Sequence, residues 1–450
     1  MTRPTARISW GLGLALVLPA AGEAAGGSGH AGFGPLLFSL AVLVLAAKIG
    51  GLLAERAGQP PVLGELVAGI GLSNLAFLVP GMSAFTAGSA DPTLAFLAQV
   101  GVLILLFDVG LETDLRALAR VGPSAAAVAV IGVVVPIALG GAASLWLRPD
   151  QPLLVHLFVG ATLSATSVGI TARVLKDLGV TREREGQIIL GAAILDDVLG
   201  LIVLAVVSGM AGAAAAGAGG ISSVAVIGIA LRAALFLSAA ALVGHFLSAP
   251  IARLAGRAGH PDETLLVVGL ALCFTLAYLA EAIGLADIIG AFAAGVLLDP
   301  YGEGIRAREA APTLSGSLHP LSSLFVPLFF VLMGMQVRLD SLASGAVLGL
   351  AAVLLVVAVI SKLACGLGVL APGVNRLAVG LGMLPRGEVG LIFAGIGAGL
   401  MLHGQPILSP GLFSAIVLVV LVTTLLAPAG LRAVFARVKA QRDFRQGDQS

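Results

Sequence analysis

Thirteen apolar segments follow one another along this chain, at 36–53, 61–79, 94–111, 124–147, 153–175, 188–210, 231–249, 264–283, 285–298, 321–335, 342–370, 377–402 and 407–431. A helix that crosses the hydrocarbon core of a bilayer needs about 20 mostly apolar residues, so the chain is nearly filled by spans. Charged residues make up 11% of it, against about 25% in soluble domains. The pattern therefore predicts an all-α membrane protein with thirteen transmembrane helices. A porin-like barrel would instead alternate apolar and polar residues in strands of about ten residues, and that alternation is absent. The 61 glycines, with aromatics at only 5%, suit helices that pack backbone to backbone.

Residues 1–24 carry Arg3 and Arg7, then an apolar stretch from Ile8 to Leu18, then Gly22-Glu23-Ala24, and read as a signal peptide. With the mature N-terminus outside, seventeen Lys and Arg fall at inward-facing ends, among them Arg56, Arg116, Arg120, Arg257, Arg306, Arg308 and Arg376. Only Arg148, Arg232 and Arg338 fall outside. Cytoplasmic enrichment of basic residues thus places the 432–450 tail in the cytoplasm. The net charge of +1 excludes the basic excess of a nucleic-acid binder. Cys273 and Cys365 lie in separate apolar runs, and no histidine or cysteine spacing suggests a metal cluster or cofactor.

Six spans, a seventh as linker, and six more put the second set upside down relative to the first, which is an inverted repeat. The fifth and twelfth spans then occupy equivalent places, and both are interrupted, by Thr166-Ser167-Val168-Gly169 and by Pro385-Arg386-Gly387-Glu388. Interrupted segments at matching positions of two halves point to a site near the membrane midplane.

A charge at the bilayer centre costs at least about 2.5–3.5 kcal/mol, so ionisable residues there are functional by default. Asp196 and Asp197 are adjacent in the sixth span, and Lys362 is the one lysine deep in the hydrophobic body. Neighbouring residues on a helix point about 100° apart, so the two carboxylates serve different partners. Lys362 needs one of them as counter-charge; the other is left beside the interrupted helices, where a proton and a small cation can compete for it. Freed helix-end carbonyls and the hydroxyls of Thr166 and Ser167 can help to coordinate such a cation. Arg386 and Glu388 are expected to pair with each other or with Glu112, in a gating or structural role. Asp108 sits one turn before Glu112 on the same face, where two acids repel. Glu65 and Asp287 read as interfacial polar positions.

Segments Pro61–Gly69, Leu105–Glu112, Ala165–Arg173, Gly191–Ile202 and Pro385–Ile392, in that order, resemble the monovalent cation:proton antiporter 2 family, and most of all its NapA-type bacterial sodium/proton antiporters. The resemblance covers about Gly34 to Arg432. It implies a homodimer in the cell inner membrane, with residues 36–111 and 264–335 as a dimerisation domain, 124–210 and 342–431 as the ion-translocating core with two crossing broken helices, and 231–249 as a linker helix. It also implies that Asp197 carries the cation (Na⁺, or Li⁺) and the proton, that Asp196 pairs with Lys362, and that Thr166 and Ser167 lie at the crossing. Asp108 departs from the family's usual apolar residue. No nucleotide-binding regulatory domain is expected in the chain.

The function expected is electrogenic exchange of a monovalent cation for protons by alternating access, serving pH homeostasis; K⁺/H⁺ exchange and a cation channel are the alternatives. No lysine follows a glycine, so there is no phosphate-binding loop of an ATP-driven pump. An intramembrane aspartyl protease would need two acids on separate helices facing one water, which adjacent aspartates do not supply. The chain is expected to be a transporter and not an enzyme.

Overall fold

The computed structural model describes residues 33–78, 85, 91–112, 122–215, 223–255, 261–298, 314–337, 340, 344–402 and 404–447. The expected signal peptide and the basic residues Arg116, Arg120, Arg257, Arg306, Arg308 and Arg338 lie outside them.

Among the described residues fifteen α-helices follow in chain order: α1 (Phe33–Arg56), α2 (Pro61–Leu78), α3 (Pro92–Glu112), α4 (Pro123–Leu147), α5 (Leu153–Ser164), α6 (Val168–Asp177), α7 (Arg184–Ala215), α8 (Ser223–Ala255), α9 (Pro261–Ala282), α10 (Asp287–Leu298), α11 (Leu314–Met335), α12 (Gly345–Leu363), α13 (Arg376–Gly382), α14 (Glu388–Gly399) and α15 (Pro410–Gly447). A 3₁₀ turn, Ala364–Gly368, extends α12, and a two-residue hairpin pairs Met401–Leu402 with Gln405–Pro406. Among the described residues nine helices are long and apolar enough to cross a membrane, and three shorter apolar ones accompany them.

Proline begins α2, α3, α4, α9 and α15, where its missing N–H is no loss because first-turn donors have no partner within the helix. Ser344 and Asn375 cap α12 and α13, their side chains accepting from the Val347 and Ala378 amides. The tenth apolar segment, expected at 321–335, begins earlier in space: α11 starts at Leu314 and runs through both Pro320 and Pro327.

The helices fall into two packed groups. In one, α3 lies against α10 and α11, α2 against α1 and α11, and α9 against α10; in the other, α4 packs on α5, α7 and α12, and α15 on α12, α13 and α14. The long α8 touches both α7 and α10 and so bridges them. Close approach depends on glycine within the first group, where Gly110 and Gly295 meet backbone to backbone and a β-carbon on either would overlap the other helix.

Candidate functional site

The fifth apolar segment holds two helices, α5 and α6, separated by the non-helical residues 165–167; the twelfth holds α13 and α14, separated by 383–387. The two interruptions touch. The Ser167 amide donates to the Pro385 carbonyl at 2.8 Å, and a β-carbon on Gly387 would stand 2.6 Å from Ser167 Oγ. Glycine at 387 is thus what allows the second interruption to lie on the first.

Helix ends leave backbone groups without intrahelical partners, and here each interruption satisfies those of the other. Thr171 of α6 donates to the Gly382 carbonyl at 2.8 Å, and Thr166 to the Met383 carbonyl at 3.4 Å. In return the fully buried Arg386 donates to the Leu163 carbonyl near the end of α5, and at 3.4 Å to the Ala358 carbonyl of α12. Thr424 of α15 donates to the Arg386 carbonyl. A cation at the C-terminal end of a helix also complements its dipole. The described hydrogen-bond partners of Arg386 are thus backbone carbonyls, that of Leu163 where α5 ends and that of Ala358 within α12. The side chains of Glu388 and Glu112 lie outside what is described.

Lys362, on the last turn of α12, reaches the same place. Its ammonium donates to Thr166 Oγ1 at 2.7 Å and to the Gly132 carbonyl of α4 at 2.8 Å, and it stands 3.6 Å from Asp196 Oδ1. Gly132 and Pro136 explain why that carbonyl is available, because Pro136 has no N–H to donate four residues back. Gly132 also leaves room: a β-carbon there would lie 3.2 Å from Cys365 Sγ and 3.4 Å from Asp196 Oδ1. Lys362 and Asp196 are both buried, at 0% and 2% exposure. Asp196 Oδ1 is buried and faces the Lys362 ammonium at ion-pair distance.

Asp197, next on α7, is half-buried, and has partners of its own. The adjacent carboxylates therefore sit in different surroundings. Of the residues singled out from the sequence, Thr166, Ser167, Asp196, Lys362 and Arg386 come together, with Asp197 beside them on the same helix turn.

Asp108 belongs elsewhere, between α3 and α11, where the Ser315 hydroxyl donates to it at 2.9 Å and His319 is a neighbour. Glu65, on α2, is buried at 6% exposure on the side facing α1, with Lys48 of α1 as a counter-charge. Asp287 heads α10 and accepts from the Gln99 amide of α3 at 2.7 Å. Sequence reasoning did not find Gly132, Thr171 or Thr424. The spacing Gly132 to Pro136 is a legible signal for the first; the other two supply hydroxyls to carbonyls that only the folded chain brings near.

Residues 41–437 match the family model described as sodium/hydrogen exchanger, transmembrane. The chain belongs to the sodium/hydrogen exchanger family. It is 38% identical over 438 residues to the high-affinity Na⁺/H⁺ antiporter NhaS3 of Synechocystis sp., covering 90% of this chain and 91% of that one. It is 34% identical over 411 residues to the Na⁺/H⁺-K⁺ antiporter GerN of Bacillus cereus, covering 90% and 98%. Among solved structures, the sodium proton antiporter MjNhaP1 of Methanocaldococcus jannaschii, at pH 8, superposes with a TM-score of 0.65 at 16% identity, covering 89% of this chain and 97% of that one. At that identity the likeness concerns the fold alone. In this member of the family, the paired interruptions and the Asp196–Lys362 contact lie wholly inside the matched region.

Proposed function

We propose that this chain is a secondary antiporter that exchanges a monovalent cation, Na⁺ or Li⁺, for protons at Asp197. The observation that carries the reading is the placement of Asp197 beside a buried Asp196–Lys362 pair, where two helix interruptions meet. Lys362 stands between Thr166, Gly132 and Asp196, so Asp196 has its counter-charge; Asp197, half-buried on the same helix turn, is the carboxylate that takes the transported ions. Carbonyls and hydroxyls at the crossing can replace part of a cation's hydration shell. A proton and a cation cannot occupy one carboxylate together, and that competition is what couples their movements.

On this reading all thirteen apolar segments cross the cell inner membrane, N-terminus outside and tail inside, the fifth and twelfth as the broken pairs α5–α6 and α13–α14. The group built on α4, α7, α12 and α15 is the translocating core. The group built on α1 to α3 and α9 to α11 is the dimerisation domain, and α8 the linker. The core moves against the other group to present Asp197 to each side in turn. The Asp196–Lys362 pair supplies a second proton: cation arrival weakens the pair, and the pair releases or takes a proton, so that two protons move against one cation.

The test is transport by the purified full chain in proteoliposomes with an imposed pH gradient, adding Na⁺, Li⁺ and K⁺ in turn. The name of GerN, which includes K⁺, makes K⁺ the cation to screen alongside Na⁺. Dissipation of the gradient by Na⁺ or Li⁺ supports the reading. Cation current that ignores the gradient would make the protein a channel.

A further inference from the structure

Residues 385–387 of the second interruption are pressed onto the first along their whole length. The Pro385 carbonyl accepts from the Ser167 amide at 2.8 Å, the Arg386 guanidinium donates to the Leu163 carbonyl, and Gly387 lies against the side chain of Ser167. The carbonyl of Arg386 falls one residue outside the hydrogen-bond ladder of α14. Gly387 is the N-cap of that helix, and its own carbonyl accepts the first intrahelical bond, from the Leu391 amide at 3.4 Å. Arg386 is fully buried, so its carbonyl needs a donor from the protein. Thr424 of α15 supplies it.

A threonine inside a helix ordinarily returns its hydroxyl to the preceding turn. Thr423 does so, donating to the Val419 carbonyl at 2.8 Å and to the Val420 carbonyl at 3.1 Å. Thr424, the next residue and just as buried, sends its hydroxyl out of the helix to a peptide 38 residues earlier in the chain. The adjacent threonines therefore have different tasks. Because α15 also packs on α12, α13 and α14, it forms a backing against which residues 385–387 are held. Arg386 carries the connection further, to the end of α5 and, at 3.4 Å, to the Ala358 carbonyl of α12. What depends on this one peptide is the spacing of the carbonyls and hydroxyls at the crossing. A cation stripped of water is held well only when such groups stand at its own contact distance, and the smaller Na⁺ draws its ligands closer than K⁺ does. A crossing that slackens loses its grip on the smaller ion first.

We propose that Thr424 is a positioning residue that sets cation selectivity: its hydroxyl, by holding the Arg386 peptide, fixes the spacing at which the two interruptions present ligands to the transported ion. This rests on the exchange reading. The test uses the purified full chain in proteoliposomes with an imposed pH gradient, whose dissipation over a range of Na⁺ and of K⁺ concentrations gives a KM for each. Thr424→Val keeps the shape of the side chain and removes the donor. It raises the KM for Na⁺ and lowers the ratio of the K⁺ to the Na⁺ value by about fivefold or more, while Thr424→Ser, which keeps the hydroxyl, restores that ratio to within about twofold of the parent. Thr423→Val leaves the ratio unchanged. Where the parent takes K⁺ too weakly to give a KM, K⁺ exchange appearing in Thr424→Val is the same result. Thr424→Cys, with a weak donor of similar size, shows a smaller shift in the same direction and keeps the comparison available if the valine variant does not fold. An unchanged ratio in folded Thr424→Val, with both cations slowed alike, would make Thr424 a structural support and overturn the inference, as would a serine variant that fails to restore selectivity. A parent chain that exchanges no cation sinks the exchange reading instead; the Na⁺ and K⁺ concentrations that raise the melting temperature of parent and Thr424→Val in detergent then decide the role of Thr424.

Discussion

Lys362→Ala is the substitution whose consequence follows most directly from the geometry. It removes three partners at once: the hydrogen bond to Thr166 at 2.7 Å, the hydrogen bond to the Gly132 carbonyl at 2.8 Å, and the ion pair to Asp196 at 3.6 Å. Asp196 is 2% exposed, so water does not replace the lost cation. Deleting one member of a buried pair costs about 3–5 kcal/mol, and the Gly132 carbonyl, which Pro136 deprives of a helical partner, is orphaned as well. Asp196→Asn with Lys362→Gln removes both charges while keeping polar groups of similar size. The double variant should be more stable than the sum of the singles implies, by about 1–3 kcal/mol of coupling for residues in contact. The assay is denaturant unfolding of the purified chain in detergent, for the parent, Asp196→Asn, Lys362→Gln and the double variant, with Lys362→Ala alongside. Additivity within about 0.5 kcal/mol would refute the pairing, and with it the second proton site.

Two further outcomes follow. Gly387→Ala should cost about 1–3 kcal/mol by overpacking, because its β-carbon would lie 2.6 Å from Ser167 Oγ and 2.8 Å from Ser167 Cβ. Gly399→Ala, with nothing within 4 Å, is the control, and equal melting temperatures for the two variants would contradict the tight crossing. If two protons move against one cation, each cycle carries one charge and is worth about 2.3 kcal/mol per 100 mV. Valinomycin with K⁺ should then change the rate of exchange from Na⁺-loaded vesicles, and an indifferent rate would make the exchanger electroneutral.

What the sequence made legible, and what it hid, divide along physical lines. Membrane helices announce themselves by length and polarity, and an intramembrane lysine demands a carboxylate, so the need of Lys362 for one of the two adjacent aspartates was within reach of residues alone, while the choice of Asp196 came with the family resemblance. The interruptions at Thr166-Ser167 and Pro385-Gly387 were also visible, because glycine and proline mark where a helix cannot continue. The carbonyl partners of Arg386 were not legible, because side-chain charge suggests an acidic partner, whereas the Leu163 and Ala358 carbonyls come near it only where α5 ends against α12 in space. The burial of Glu65 was hidden for a related reason: it comes from α2 packing this residue against α1, which neither segment signals alone.

The central claim is that proton and cation compete for the carboxylate of Asp197, and exchange by an Asp197→Asn variant measures it most directly. Asparagine is close to aspartate in size, adds no buried charge and removes the titrating group. In proteoliposomes with an imposed pH gradient, Na⁺ should dissipate the gradient through the parent chain and leave it standing with Asp197→Asn, while the two proteins elute alike on gel filtration. Cation-dependent proton flux that persists in the folded variant would contradict the account and place the exchange at another residue.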